Sequence, residues 1–176
     1  MHNGDGDTNI YTDGACSPNP GPGGYGVVLL AGGHRQELSG GFRKTTNNRM
    51  ELISVIRALE AVQRSSGKVT VYSDAQYVVS MYNGGHASRW RRDGWRRNRG
   101  KDPALNSDLW GRLLDLCEPL NVEFIWVRGH ADNVENMRCD DMAVAARLQN
   151  DLPVDEGYEA PIVAAAHTQL SLFAGL

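Results

Sequence analysis

The chain of 176 residues has only three cysteines, Cys16, Cys117 and Cys139. Their number is odd and their spacing is not that of metal ligands, so reduced thiols are expected instead of a disulfide framework. No run approaches the roughly 18 consecutive apolar residues that a bilayer span needs. The opening residues Met1-His-Asn-Gly-Asp lack the basic and apolar regions of a secretory signal, so no membrane association and a cytoplasmic location are expected. The chain also lacks the positive balance usual for a nucleic-acid binder, with a net charge of −3. What remains is an ordinary globular composition, 41% hydrophobic and 22% charged, in a length that fits one compact domain.

The charge is unevenly spread. Between Arg89 and Lys101 lie seven basic residues and one acid, so a +6 segment sits on a −9 body. A localised basic block suits a polyanion, because contact with phosphates releases condensed counterions, while an acidic body orients the approach. Trp90 and Trp95 are interleaved with Arg91, Arg92, Arg96, Arg97 and Arg99. Indoles in such a setting pack under basic arms or stack on bases.

Residues 9–12 read as a short strand, and Ser17-Pro-Asn-Pro-Gly-Pro-Gly-Gly as a turn-dense loop. Residues 25–30 and 37–42 read as two further strands of an antiparallel meander. Residues 47–64 form the clearest helix, with Leu52, Val55, Ile56, Leu59 and Val62 at helical spacing. A strand at 69–72, helices near 75–82 and 106–116, a strand at 122–127 and a helix at 135–149 follow. That order predicts an α/β fold with a mixed five-stranded sheet flanked by helices. The division expected is a polar leader over 1–8, one domain over 9–150, and a tail over 151–176 where the composition turns Pro/Asp/Glu-rich and then Ala-rich.

Several acids occupy unusual places. Asp13 and Asp74 each follow an apolar strand, where α/β proteins place functional side chains, although an Asx-turn or an N-cap is the ordinary use of an Asp there. Glu51 opens the long helix, where an acid suits the macrodipole, yet it shares a strip with Val55, Ala58 and Val62 at the margin of the buried face. Asp140 lies beside Ala143 and Val144 on the last helix, next to Asp141. A carboxylate at a buried margin needs a partner such as a cation, and an all-oxygen donor set suits Mg²⁺ or Mn²⁺. Two such ions can activate a water and steady the leaving oxygen of a phosphodiester.

Five stretches in order now carry a family resemblance: Tyr11-Thr-Asp-Gly-Ala-Cys, Asn19-Pro-Gly-Pro-Gly-Gly-Tyr-Gly, Thr45-Thr-Asn-Asn-Arg-Met-Glu-Leu, Ser73-Asp-Ala-Gln-Tyr-Val, and Trp126-Val-Arg-Gly-His-Ala with Glu135-Asn-Met-Arg-Cys-Asp. Over residues 9–150 the chain resembles type I ribonuclease H. The resemblance implies a ribonuclease H-like fold and a monomeric endoribonuclease. Such an enzyme cuts the RNA strand of RNA–DNA hybrids with two Mg²⁺ or Mn²⁺ ions, leaving 5′-phosphate and 3′-hydroxyl ends. It assigns Asp13, Glu51, Asp74 and Asp140 to the metal carboxylates and His130 to a loop histidine that assists proton transfer or product release, with Glu135 nearby. Thr46 and Asn47 match the pair that holds a phosphate of the DNA strand, and Asn19 and Asn48 match groove contacts. Reading of 2′-hydroxyls then separates RNA from DNA. Arg91, Arg92, Arg96, Arg97 and Arg99, with Trp90 and Trp95, match the family's basic protrusion. One departure is an extra residue over 82–88, which puts His86 near the place of a channel tryptophan.

The end of the chain holds Gln169-Leu170-Ser171-Leu172-Phe173, which looks like the pentapeptide by which bacterial replication and repair proteins dock on the sliding clamp. Leu172 and Phe173 would enter an apolar pocket, with Gln169 supplying directional hydrogen bonds. Two rival readings stand beside the nuclease: a transposase or integrase-type phosphoryl transferase, and a catalytically silent hybrid-binding module. Cleavage of duplex DNA would mark the first, and hybrid binding without cleavage the second.

Overall fold

A computed structural model describes residues 6–62, 67–129 and 133–160. In chain order the elements are β1 (Thr8–Cys16), β2 (Gly21–Ala31), β3 (His34–Thr45), α1 (Asn47–Ala61), β4 (Lys68–Ser73), α2 (Gln76–Asn83), α3 (His86–Arg92), β5 (Arg96–Arg97), β6 (Asp102–Pro103), α4 (Ser107–Cys117), β7 (Asn121–Trp126) and α5 (Val134–Arg147). The five long strands form one sheet in the order β3-β2-β1-β4-β7. The meander β1–β2–β3 is antiparallel, and β4 and β7 join parallel to β1. The mixed five-stranded sheet expected from the element order is therefore the one observed.

Alternation along the strands sends side chains to two helical layers. On one face Ile10, Val27, Leu29, Val69 and Val71 bury against α1, whose Leu52, Val55, Ile56 and Leu59 are almost wholly enclosed. Trp110 and Leu113 of α4 complete this core with no exposed surface. On the other face α5 lies on β1 and β2, with Val28 and Cys139 at the contact. That contact is unusually close: a Cβ on Gly24 would meet the Ala143 carbonyl, and one on Gly26 would meet the Cys139 carbonyl. Glycine at these alternate positions lets a helix backbone rest directly on the strand.

Several boundaries differ from those read in the sequence. β1 runs on through Asp13 to Cys16, and β2 begins at Gly21 inside the stretch expected to be loop. Pro18 and Pro20 precede the strand, and Pro22 lies inside it, at the register shift between Gly21 and Gly23. The long helix stops at Ala61, with Val62 as its cap, three residues short of the expected end. The basic segment, for which no element was expected, runs from the second half of α3 through β5, which pairs with β6 just beyond it. The described structure also continues past residue 150. Asp155 is buried, and residues 156–160 form a helical turn against the body. Residues 161–176, with Gln169, Leu170, Leu172 and Phe173, lie outside the described residues, as does His130. Among the described residues no helix is long and apolar enough to cross a membrane.

Candidate active site

Four elements bring their acids to one place, and the sheet register sets the first pair. The parallel pairing of β1 with β4 ends at Thr12 opposite Ser73. Asp13 and Asp74 are the next residues on each chain, so they emerge side by side where that ladder stops. This refines the strand-end reading: Asp13 still pairs with Gly26 of β2, and only its β4 side is open. The Asp13 Oδ1 accepts from the Gly14 backbone N–H at 2.7 Å. Ala75 holds the N-cap position of α2, and Ser73 Oγ accepts from the Ala75 N–H at 3.1 Å.

Two glycines flanking this pair admit the other two acids. A Cβ on Gly14 would sit 2.5 Å from the Glu51 backbone nitrogen, so α1 crosses β1 at a point only glycine permits. Gly26, the register partner of Asp13, lies under the Cys139 carbonyl, so α5 presents Asp140 beside it. Asp140 is half-buried while Asp141 is exposed, and Glu51 is half-buried while Glu60 is exposed. Glu51 lies beyond the first turn of α1, which holds no acid. The macrodipole therefore does not account for it. Its carboxylate is held instead by the Asn47 side-chain amide, which donates to Oε1 at 2.7 Å.

Burial and mutual repulsion shape the electrostatics. Burial, then the neighbouring Asp74, push the Asp13 carboxyl up to about 8, with Asp140 and Glu51 adding to the rise against the Gly14 hydrogen bond. Burial, then Asp74, push Glu51 up to about 7, opposed by Asn47. Among the described residues, no three His, Cys, Asp or Glu donors are drawn together tightly enough to hold an ion as they stand. The cluster is instead a set of partly enclosed carboxylates that raise one another's proton affinity. A hard divalent cation fits that donor set, because it offsets this repulsion and takes oxygen ligands.

Two neighbours of Asp74 had no signal in the sequence beyond their motif. The indole of Trp126, at the end of β7, donates to the Asp74 carbonyl at 3.1 Å. Gly129 lies so close that a Cβ there would meet the Asp74 Oδ2. The lack of a side chain at Gly129 leaves room for that carboxylate.

The expected phosphate contacts form a connected line. Thr46 caps α1, its hydroxyl accepting from the Arg49 N–H at 3.4 Å. Asn19 Oδ1 accepts from the Asn47 backbone N–H at 3.2 Å, which joins the Pro/Gly loop to the start of α1. Asn48 is exposed next to them.

The basic protrusion divides into anchored indoles and exposed arms. Trp90 packs edge-on to the buried Trp110, ring centroids 6.4 Å apart, and Trp95 lies against Gly111 of α4. Both indoles are half-buried and join the protrusion to the core. Arg91 pairs with Asp115 at 2.6 Å. Arg96, Arg97 and Arg99 are exposed, and with His86 and Arg89 they line one hollow. The ring of His86 stands 6.4 Å from that of Trp90, inside the protrusion.

Comparison with known proteins agrees with this architecture. Residues 5–147 match the family model described as RNase H. A ribonuclease H of Syntrophus aciditrophicus (strain SB) is 58% identical over 149 residues, covering 85% of each chain. One from Desulforamulus reducens is 60% identical over 146 residues, covering 83% of this chain and 91% of the relative. Among solved structures, LC9-RNase H1, a type 1 RNase H with the type 2 active-site motif, superposes with a TM-score of 0.69 at 31% identity, over 91% of this chain and 82% of that one. LC11-RNase H1, solved in complex with RNA/DNA hybrid, superposes with a TM-score of 0.61 at 26% identity, over 79% of this chain and 95% of that one.

Proposed function

The chain belongs to the ribonuclease H family, and from that premise we propose that it hydrolyses the RNA strand of RNA–DNA hybrids with divalent cations held by Asp13, Glu51, Asp74 and Asp140. The observation that carries the site assignment is the convergence at Asp13. Three carboxylates from other elements raise its proton affinity together with burial. A cluster that disfavours its own ionisation gains most from a cation, and the family resemblance supports reading that cation as Mg²⁺ or Mn²⁺, two per site. When bound, such ions supply activation of a water and charge relief at the leaving oxygen.

The residues of the chain supply the rest. Asp13 and Asp74, adjacent at the end of the β1–β4 ladder, form the floor of the site. Glu51, kept in place by Asn47, closes one side and Asp140 the other. Thr46 and Asn47 take a DNA-strand phosphate, with Asn19 and Asn48 beside them, and Arg92, Arg96, Arg97 and Arg99 grip the hybrid further out. Trp90 and Trp95 hold that grip at a fixed place, and Arg91 contributes less because Asp115 already engages it. His130 assists proton transfer or product release. The products are a 5′-phosphate and a 3′-hydroxyl, and the enzyme acts as a cytoplasmic monomer.

Labelled RNA–DNA hybrid, duplex RNA and duplex DNA, each incubated with Mg²⁺, Mn²⁺ or EDTA, test the reading. Cleavage confined to the RNA strand of the hybrid, dependent on metal and leaving 5′-phosphate ends, supports it. Cutting of duplex DNA, or of the hybrid in EDTA, contradicts it.

A second, separable proposal concerns Gln169–Phe173: this segment docks on the sliding clamp. Its support is the complete five-residue match, with Gln169, Leu170, Leu172 and Phe173 in the positions of that motif. A peptide of residues 165–176 should bind the clamp saturably, and Phe173→Ala should abolish binding by the whole protein. No saturable binding, with Phe173→Ala behaving as wild type, overturns it.

A further inference from the structure

The segment beyond α5 is tied to the body through a carboxylate that is itself buried. Asp155, only 4% exposed, accepts from Thr45 Oγ1 at 2.6 Å and from Arg49 Nε at 2.7 Å on one oxygen, and from Arg49 Nη2 at 2.8 Å on the other. Arg49, 3% exposed, turns its remaining edge to Asp108, with contacts of 3.0 and 2.7 Å. Outside this pair, the Arg43 backbone N–H donates to the Pro153 carbonyl at 2.9 Å, and the Arg43 guanidinium pairs with Glu159 at 2.8 Å. Burial alone would disfavour a charged Arg49, but the hydrogen bonds to Asp108 and Asp155 outweigh it and raise its proton affinity.

The two anchors of Asp155 bracket one short step of the chain. Thr45 is the last residue of β3 and Arg49 lies in the first turn of α1. Between them are Thr46, Asn47 and Asn48. Thr46 caps the helix through the Arg49 N–H, and Asn47 connects to Asn19 on one side and to Glu51 on the other. A buried ion pair adds little net stability once desolvation is counted, while a bidentate arginine–carboxylate contact fixes geometry closely. Stability therefore does not account for placing this network at this turn, and positioning does.

We propose that Asp155 is a positioning residue for the DNA strand of the hybrid. By holding Thr45 and Arg49 together it sets the Thr46–Asn47 turn where a phosphate meets it. This rests on the reading of Thr46 and Asn47 as the phosphate contact. It extends the functional domain to a carboxylate 106 residues away from Arg49 in sequence, in a segment the composition presents as tail.

The test compares wild type, Asp155→Ala and Asp155→Asn in steady state, each well below its own melting midpoint. Two substrates are used: an unmodified hybrid, and one whose DNA-strand phosphates around the cleavage position are neutral methylphosphonates. Asp155→Ala should raise KM for the unmodified hybrid about tenfold, the pattern of lost binding, with a smaller fall in kcat because Asn47 also holds Glu51. Asp155→Asn, which keeps an acceptor for Thr45, should recover part of that loss. On the methylphosphonate hybrid, variant and wild type should have KM values within about twofold, since two changes that remove one interaction are not additive. Should Asp155→Ala not fold, the comparison is made on Asp155→Asn, which keeps the side-chain volume. An unchanged KM in the folded variant overturns the inference, and so does an equal rise on both substrates. If methylphosphonates leave the wild-type KM unchanged, the phosphate reading of Thr46 and Asn47 fails first, and the inference falls with it.

Discussion

A Cβ built on Gly14 would stand 2.5 Å from the backbone nitrogen of Glu51 and 2.6 Å from the Met50 carbonyl carbon. Both are backbone atoms, so no side-chain rotation relieves the clash. Gly14→Ala must push α1 away from β1 and carry Glu51 away from Asp13. Overpacking of this kind costs about 1–3 kcal/mol, and a displacement near 1 Å at reacting groups costs on the order of 100-fold in rate. The expected result is a folded protein with a modestly lowered Tm and kcat reduced by about that factor. A variant with wild-type kcat would show that the closeness of α1 to β1 is not what sets Glu51.

Burial and repulsion at Asp13 have a signature in stability. Its carboxyl is pushed up to about 8 from an ordinary 3.8, so the folded state disfavours the charged form. Below the unfolded value the group is neutral in both states and contributes nothing. The penalty grows as pH rises between the two values and is complete above about 8. Asp13→Asn removes it. In EDTA the variant should melt above wild type by an amount that widens from pH 4 to 8 and then levels. Each kcal/mol recovered corresponds to roughly 2–4 °C for a chain of this size. Saturating Mg²⁺ should narrow or reverse the gap, because ligand binding to the native wild type adds stability. A difference in Tm that is flat with pH contradicts the electrostatic account.

The protrusion makes a contrast among arginines testable. Arg96 and Arg97 are exposed and line a common hollow, whereas Arg91 is already paired with Asp115. Removing a phosphate contact reduces the salt slope of binding by about 1 per residue. Arg96→Ala with Arg97→Ala should therefore flatten the dependence of log K on log salt by about 2, with kcat little changed. Arg91→Ala should flatten it by clearly less than 1. Equal effects per residue would place Arg91 on the substrate as well.

How far the sequence foretold the site depends on the range of the contacts concerned. The strands before Asp13 and Asp74 were visible from apolar runs, because burial between two helical layers demands them. The four acids were likewise legible, and burial separates Asp140 from Asp141 and Glu51 from Glu60 as the helix margins suggested. The full length of β1 was not visible, since Asp-Gly reads as a turn and only pairing with residues 23–26 of β2 keeps the strand going. Nor were the close approaches at Gly14, Gly26 and Gly129, because a glycine that admits a distant backbone or side chain looks the same in sequence as one that turns. The Thr45–Asp155–Arg49 contact was out of reach for a related reason. Its partners lie more than a hundred residues apart, and a segment rich in Pro, Asp and Glu has the composition of a linker. The indoles of Trp90 and Trp95 were legible as part of the basic segment, but their packing on Trp110 and Gly111 is a tertiary fact.

The central claim is that Asp13, Glu51, Asp74 and Asp140 act together as a cation-binding catalytic centre on a hybrid held mainly by other residues. Asp13→Asn tests it most directly, in one preparation assayed for RNA-strand cleavage in Mg²⁺ and for hybrid binding in EDTA. The account predicts cleavage reduced by at least about 1,000-fold, on the scale of removing a key electrostatic group, while the Kd for hybrid stays within about threefold of wild type. Near-wild-type cleavage by this folded variant, or loss of cleavage matched by an equal loss of hybrid binding, would contradict it.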